Sequence, residues 1–471
     1  MKILAFGFGM TPLFIKPLKE KLDNEEADVE FSVLLSSSHH LKLMSDLLGK
    51  DNVLCIDLQL PKYKNAEVEF SELSNYTDNI YKNIESQKVT MKNRDSSTQM
   101  NIAYWTYILI KNFLIKVKPD HILYIQSPED MEGMLLGGLA KELGIPLAIP
   151  HHTRHIGLSF FSFHRQETLP KANNINQSDI DKANKFLVDF RNGNTQPSPS
   201  YSKIGDGGKH IPYDRKGKID RLISGISRYF YETRSRELRT LQISLLNNWF
   251  PLWRDLYRGG REFLSKRIYN CDSLENLPEK FVFYPIQYSP ESSINIPSPF
   301  FIDQLRVIDA IRMSMPSDYI LVVKEHPVCR TVRPLNFIKS LLNKAGVVVA
   351  RYDLDTQKLI KKSNLVISVT GTAALEAFLY GKPSLVMGPT FFSDYLGGIC
   401  TIDELPKRIR AISDVPVKKD IIIKFLSEVF AVSSNFLGRS PGEGNDKMMT
   451  FGNLHSFWNA FIEHTKRDNT C

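Results

Sequence analysis

Cysteine is scarce in this chain: five in 471 residues (Cys55, Cys271, Cys329, Cys400 and Cys471), scattered and without a C-x-x-C pair. Such spacing builds neither a disulfide framework nor a thiolate zinc site, so the thiols are expected to be reduced and mostly structural. A run of about 18 uncharged apolar residues, the length of a membrane-crossing helix, is also missing. The opening MKILAFGFGMTPLF begins on a strand pattern and has no small-residue cleavage site of a secretory leader. These absences give the expectation of a cytoplasmic protein. A dinucleotide fingerprint fails as well, because after Gly7 and Gly9 its third glycine would fall at Pro12. Internal repeats and low-complexity tracts are not evident.

What is present is ordinary in amount and uneven in placement. Hydrophobic residues at 42% and charged residues at 24% set the chain among globular proteins rather than disordered or fibrous ones. Its length exceeds one core and fits two domains. The formal charge is +8, and between residues 201 and 270 we count 15 Lys and Arg against 7 Asp and Glu, which is also +8. One segment therefore carries the whole excess.

Short apolar runs at 2–6, 29–35, 52–58, 121–126 and 146–149 alternate with helical patterns near 11–22, 97–117 and 130–142, which predicts a parallel, doubly wound sheet. From about 168 to 215 the chain is polar and turn-rich and reads as a linker or loop; 216–268 is helical by pattern. A second alternating series follows, with strands at 281–286, 319–324, 346–350, 365–369 and 383–387 and helices between them. The expected division is 1–167 for a first Rossmann-like domain, 168–275 for a linker and basic helical segment, 276–414 for a second Rossmann-like domain, and 415–471 for a helical tail. Two such sheets in tandem suggest a cleft between facing carboxyl edges.

Two stretches bear chemistry. In "LVVKEHP" (321–327) a β-branched strand runs into Lys324, Glu325, His326 and Pro327, and Pro327 fixes the turn that presents the imidazole. In "ISVTGTAALEAFLYGKPSLVMG" (367–388) a strand ends at Thr370, Gly371 permits close approach, and Thr372 can cap the helix that follows. The N–H groups at that helix start, with two hydroxyls beside them, form an anion site, and Glu376 lies about one turn in. In a parallel sheet both strands, read as neighbours, finish on one edge, so His326 and residues 370–372 can converge on a phosphate. The plainer readings remain open at this point: a Thr-capped helix, and a structural histidine at a strand end.

Together with "FVFYPIQYSPESS" and "FIDQLRVIDAI", these residues resemble the C-terminal half of the capsule-polysaccharide biosynthesis glycosyltransferases, which include the retaining β-Kdo transferases. A His-Pro pair followed by a Ser/Thr cluster is also similar, more distantly, to bacterial sialyltransferases that use CMP-sugars. The match covers roughly 280–390. It implies a GT-B fold, two Rossmann-like parallel-sheet domains facing a cleft with a helical insertion, and a second domain that holds a nucleotide sugar, probably CMP-linked. By that resemblance His326 touches the donor phosphate; Thr370, Gly371 and Thr372 bind phosphate or the donor carboxylate; and Glu376 meets the nucleotide ribose. Lys324, Pro327 and Gln287 complete the donor set. "QYSPESS" places Glu291, with Ser293 following, where the family has its suspected nucleophilic Asp, and Lys324 and His326 would keep that carboxylate ionised. Glu291 also reads as a solvated loop acid.

In the first half, "QSPEDMEG" puts Gln126, Glu129 and Asp130 after a strand, candidates for a general base or for acceptor hydroxyls. "PHHTRHIG" puts His151, His152, Arg154 and His155 after the next strand; no metal is expected, because H-H-x-x-H here lacks a helix and an acid at ligand spacing. Sugar or anion contacts and a plain polar loop are the two readings left. The basic segment interleaves cations with Tyr229, Phe230, Tyr231, Trp249, Phe250, Trp253 and Tyr257, which suits an anionic membrane surface or lipid-linked acceptor, or else a core face with a solvated rim. Nucleic acid is not expected, since no binding module accompanies the charge. The reading is thus a cytoplasmic glycosyltransferase, peripheral on the inner face of the membrane, with a nucleotide sugar as donor and a polysaccharide or lipid-linked glycan as acceptor. A nucleotide-sugar epimerase or hydrolase, and a non-catalytic capsule assembly or export factor, are the alternatives.

Overall fold

The structure is a computed structural model that describes residues 1–63, 67–73, 76, 78–86, 94–128, 130–195, 269–287, 292–326, 333–438 and 446–467. The chain forms two compact units: residues 1–183 with 295–299 and 426–471, and residues 184–294 with 300–425.

The first unit is built on β1 (Lys2–Gly7), α1 (Pro12–Asn24), β2 (Glu30–Leu35), α2 (Leu41–Leu48), β3 (Val53–Cys55), α3 (Ser96–Val117), β4 (His121–Tyr124), α4 (Met131–Glu142), β5 (Leu147–His152) and β6 (Ser159–Ser162). Its strands lie in the order β3-β2-β1-β4-β5-β6, all parallel except the last pair. The run at 52–58 pairs only through Cys55 and then turns helical over Ile56–Gln59. Strand β6 has no counterpart in the expected elements. It pairs antiparallel with β5, setting Phe160 opposite His151 and Ser159 opposite His152. The helix Phe451–Thr465 packs its Leu454, Phe457 and Phe461 into this unit's core beside Phe14 and Phe161. Ser159 also bridges to Ser434, so the tail completes the first unit instead of standing apart.

The helix α5 (Gln177–Arg191) lies inside the stretch expected to be loop. Its charged and amide residues mask an apolar spacing of Ala183, Leu187 and Phe190, all buried. Phe190 meets Tyr380 at 4.9 Å, and Arg191 Nε donates to the Leu379 carbonyl at 2.9 Å.

The second unit carries β7 (Phe281–Pro285), α6 (Gln304–Ser314), β8 (Ile320–Lys324), α7 (Leu335–Leu342), β9 (Val347–Ala350), α8 (Thr356–Lys362), β10 (Leu365–Ser368), α9 (Thr372–Leu379) and β11 (Ser384–Val386). All five strands are parallel, in the order β11-β10-β7-β8-β9. Alternation sends Val282, Tyr284, Leu321 and Val323 to one face of the sheet. Phe281, Phe283, Val322 and Val366 go to the other, against Ala373 and Ala377 of α9. The expected pair of Rossmann-like α/β sheets is observed, the first carrying one antiparallel strand, β6. Both sheets change direction beside their first strand, β1/β4 in one and β7/β10 in the other, and such switch points are where open sheets bind ligands. Among the described residues no helix is long and apolar enough to cross a membrane. Cys55, Cys271 and Cys400 are free and buried. The basic segment 201–268 lies outside the described residues.

Candidate functional site

At the carboxyl edge of the second sheet the sequence places polar residues after the apolar runs of β7, β8, β9 and β10. Strand β7 lies between β8 and β10, so the strand leading to His326 and the one leading to residues 370–372 flank a third, roughly 10 Å apart. They are not neighbours, as the sequence suggested. Gln287, just past β7, occupies the gap. Its Nε2 donates to Ser368 Oγ at 3.0 Å, and the same oxygen accepts the Gly371 N–H at 2.8 Å. Gln304 of α6 holds Gln287 from behind: its Oε1 accepts both the Gln287 N–H (2.9 Å) and the hydroxyl of fully buried Tyr284 (2.8 Å).

Gly371 is the position where absence of a side chain matters. A Cβ there would lie 2.6 Å from Ser368 Oγ and 2.7 Å from Gln287 Nε2, inside any tolerable contact. Gly371 is also the N-cap of α9 and offers no side-chain acceptor, while Thr372 is the first helical residue. Thr372 therefore does not cap the helix; Ser368 reaches Gly371 N–H from the strand end instead. The first-turn N–H groups beyond Gly371 point out of the helix without intrahelical partners, which is the arrangement that receives anions. Thr370 and Glu376 are both buried at this edge.

On the β8 side, Lys324 continues the face of Val322 and is almost fully buried. Its Nζ donates to Thr356 Oγ1 at 2.6 Å. Burial pushes its amine down to about 8, against the opposing pull of Asp355, Asp353 and Glu376. Glu325 points the other way, is 1% exposed, accepts the His326 N–H at 2.8 Å and pairs with Arg333 Nε at 2.6 Å. Burial raises the Glu325 carboxyl against the counter-pull of Arg333. Arg333 Nη2 donates to the Gln287 carbonyl at 2.7 Å, and its guanidinium lies 4.6 Å over the Phe337 ring. Burial, then Lys324 and Arg333, lower the His326 imidazole, which leaves it a neutral donor or acceptor at pH 7. Glu291 and Pro327 lie outside the described residues, as does the side chain of Ser293.

In the first unit the candidate residues are bound locally. His151 and His152 lie within β5, not in a loop after it. Ser127 Oγ, which donates to the Pro150 carbonyl, sits 3.2 Å from His151 Nδ1, and Ser159 Oγ sits 2.8 Å from His152 Nδ1. Burial lowers the His151 imidazole. Asp130 caps α4 through the Gly133 N–H at 2.9 Å, and Arg154, at φ +58°, pairs with Glu167 at 2.7 Å. Gln126 is buried at the end of β4. Glu129 lies outside the described residues.

Sequence reasoning missed Arg333, Gln304, Ser368 and Thr356. Only Ser368, two residues before the T-G-T stretch, had a signal nearby.

No curated protein sequence gives a significant match. Among solved structures, the chain is similar to the KpsC β-Kdo 2,7-transferase of Thermosulfurimonas dismutans at 11% identity and TM-score 0.34, covering 95% of this chain and 98% of that one. It is similar to the UDP-GlcNAc 2-epimerase of Methanocaldococcus jannaschii at 13% identity and TM-score 0.24, covering 89% and 94%. The UDP-GlcNAc 2-epimerase of Neisseria meningitidis, bound to UDP-GlcNAc, gives 15% and 0.22, covering 99% of each. Likenesses this distant transfer no residue role. Residues 264–419 match the family model described as capsule polysaccharide biosynthesis protein, the stretch that holds β7 to β11 and every residue of the edge just described. Over that stretch the chain carries the pattern of the capsule polysaccharide biosynthesis family.

Proposed function

We propose that the chain is a glycosyltransferase of capsule or surface polysaccharide synthesis. It takes a Kdo-like or sialic-like sugar from a CMP donor held at the carboxyl edge of the second sheet and passes it to a glycan or lipid-linked acceptor. The observation that carries this reading is the hydrogen-bonded run from Glu325 through Arg333 and Gln287 to Ser368 and Gly371. It ties three strand ends together at the switch point, beside the start of α9. Cross-strand bonds of this kind preorganise donors for a charge that develops elsewhere, here on a leaving phosphate.

In this reading His326 donates to the departing phosphate, while Thr370, Gly371 and Thr372 hold phosphate or the donor carboxylate and Glu376 meets the ribose. Lys324 supplies charge from beneath, and Gln287 spaces the two sides. Glu291 attacks the anomeric carbon, with Ser293 beside it, and must be ionised to do so. The first unit offers Gln126, Glu129, Asp130, His151, His152 and Arg154 to the acceptor. The basic segment rests on the anionic inner face of the cytoplasmic membrane. Neutralising Arg234, Arg236 and Arg239 then releases the protein from anionic vesicles in a sedimentation assay, and unchanged sedimentation removes the membrane contact.

The test is product analysis with CMP-, UDP- and GDP-sugars, with and without acceptor glycan. Transfer predicts turnover to free CMP only when acceptor is present, with no more than one equivalent per enzyme released in its absence as Glu291 is glycosylated. Epimerised or hydrolysed donor without acceptor would make the chain an epimerase or hydrolase; intact donor with tight glycan binding would make it an assembly factor. Glu291→Gln abolishes transfer and leaves CMP binding intact, and normal turnover in that variant removes Glu291 from the mechanism.

A further inference from the structure

We infer that Glu325 and Arg333 form a positioning clamp that sets the distance between His326 and the start of α9; the inference rests on the proposed transfer at this edge. Neither residue is given a role by the resemblance, and neither needs to touch the donor. Glu325 accepts the backbone N–H of His326 with one carboxylate oxygen and pairs with Arg333 Nε through the other. Arg333 then uses Nη2 on the carbonyl of Gln287, whose side chain bonds Ser368, which in turn holds the N–H of Gly371. Five hydrogen bonds thus run without a break from the imidazole-bearing residue to the helix cap, across a strand that separates them.

The chemistry of the pair suits this task. A guanidinium has fixed, divergent donors, so one plane can bridge a carboxylate and a carbonyl; an ammonium cannot hold both at the same distances. The Phe337 ring under the guanidinium fixes its plane. Glu325 is 1% exposed and Arg333 is part-buried, so the pair costs desolvation. A purely stabilising contact would be served as well by apolar side chains. What the ion pair adds is a register between β8 and β7.

Arg333→Lys is the first test, with Glu325→Met/Arg333→Met as the second, because the double variant leaves no buried charge and keeps the volume. If a lost register shifts the reacting groups by about an ångström, kcat for transfer falls about 100-fold in both variants. The Tm stays within a few degrees of wild type. Binding of CMP, by titration calorimetry, weakens about tenfold, the equivalent of one lost hydrogen bond to a charged group. Guanidinium ion added to Arg333→Ala restores part of the rate, which a general packing role would not produce. Wild-type kcat in either variant with an unchanged Tm overturns the clamp. If the wild-type protein binds CMP, UDP or GDP but transfers no sugar, the transferase reading fails alone. The clamp is then judged on binding of that nucleotide, and an unaltered affinity in Arg333→Lys overturns it. A wild-type protein that binds none of the three overturns both.

Discussion

The two carboxyl edges differ in how their polar residues are satisfied. In the first unit the bonds named join a residue to its own element or to the next one in the sheet: Asp130 caps its own helix, Ser127 past β4 and Ser159 of β6 sit against His151 and His152 of β5, and Arg154 pairs with Glu167. In the second unit the bonds cross strands, from β8 to β7 to β10, and meet at the switch point. Local satisfaction finishes a fold. Long-range satisfaction of buried groups fixes distances between elements, which is what a reaction needs and what a helix cap does not supply.

The strongest way to break this contrast is Gly371→Ala. The added methyl must displace Ser368 Oγ or Gln287 Nε2, and overpacking of that kind costs about 1–3 kcal/mol. Nucleotide affinity is expected to fall by about 5- to 160-fold by calorimetry if that strain is all felt at the site. An unchanged affinity would show that the helix start is not used.

A second measurement uses Lys324. Its amine, lowered to about 8 in the free protein, releases its proton below the unfolded value of a lysine, so it costs stability below pH 8 and the cost is relieved as pH rises toward 10.5. A phosphate bound nearby raises the amine again, and binding therefore takes up a proton. Affinity for CMP is expected to be full below about pH 8 and to weaken by up to about tenfold per pH unit above it. Calorimetry in buffers of different ionisation heat reads the proton directly. Lys324→Met should lose the pH dependence while unfolding no more easily at pH 7; a pH-independent affinity in the wild type would place the phosphate elsewhere.

The smallest effect sharpens the first edge. Asp130→Ala is expected to lower stability by about 1 kcal/mol through the lost cap, and Asp130→Asn to restore it. Full transfer by Asp130→Asn would leave the residue a cap only, whereas lost transfer at wild-type Tm would make it the acceptor's base.

Most of the second sheet is legible in the sequence because its strands are short, β-branched and bounded by polar residues, as at 320–324 and 365–368. The helix over 177–191 was hidden because acids and amides outnumber its apolar stripe, and β6 because SFFS is four residues long and pairs antiparallel against a parallel trend. Of the site, Lys324, His326, Gly371 and Gln287 are readable from their positions after strands. Arg333 is not. Arg330 and Arg333 sit three residues apart in PVCRTVRP, and only the fold reveals that the second reaches Glu325 eight residues back and Gln287 46 residues back. Strand order is equally silent in sequence, which is why β7 was not expected between the two motif-bearing strands.

The helix Phe451–Thr465, with Phe436 and Met448, supplies a large part of the first unit's interior. During synthesis the second unit's residues therefore emerge in full while the earlier one still lacks a wall, and the first sheet keeps an open hydrophobic face until the helix Phe451–Thr465 arrives. Birth order and completion order are reversed in this chain, so a shortened message would harm the half that was made first.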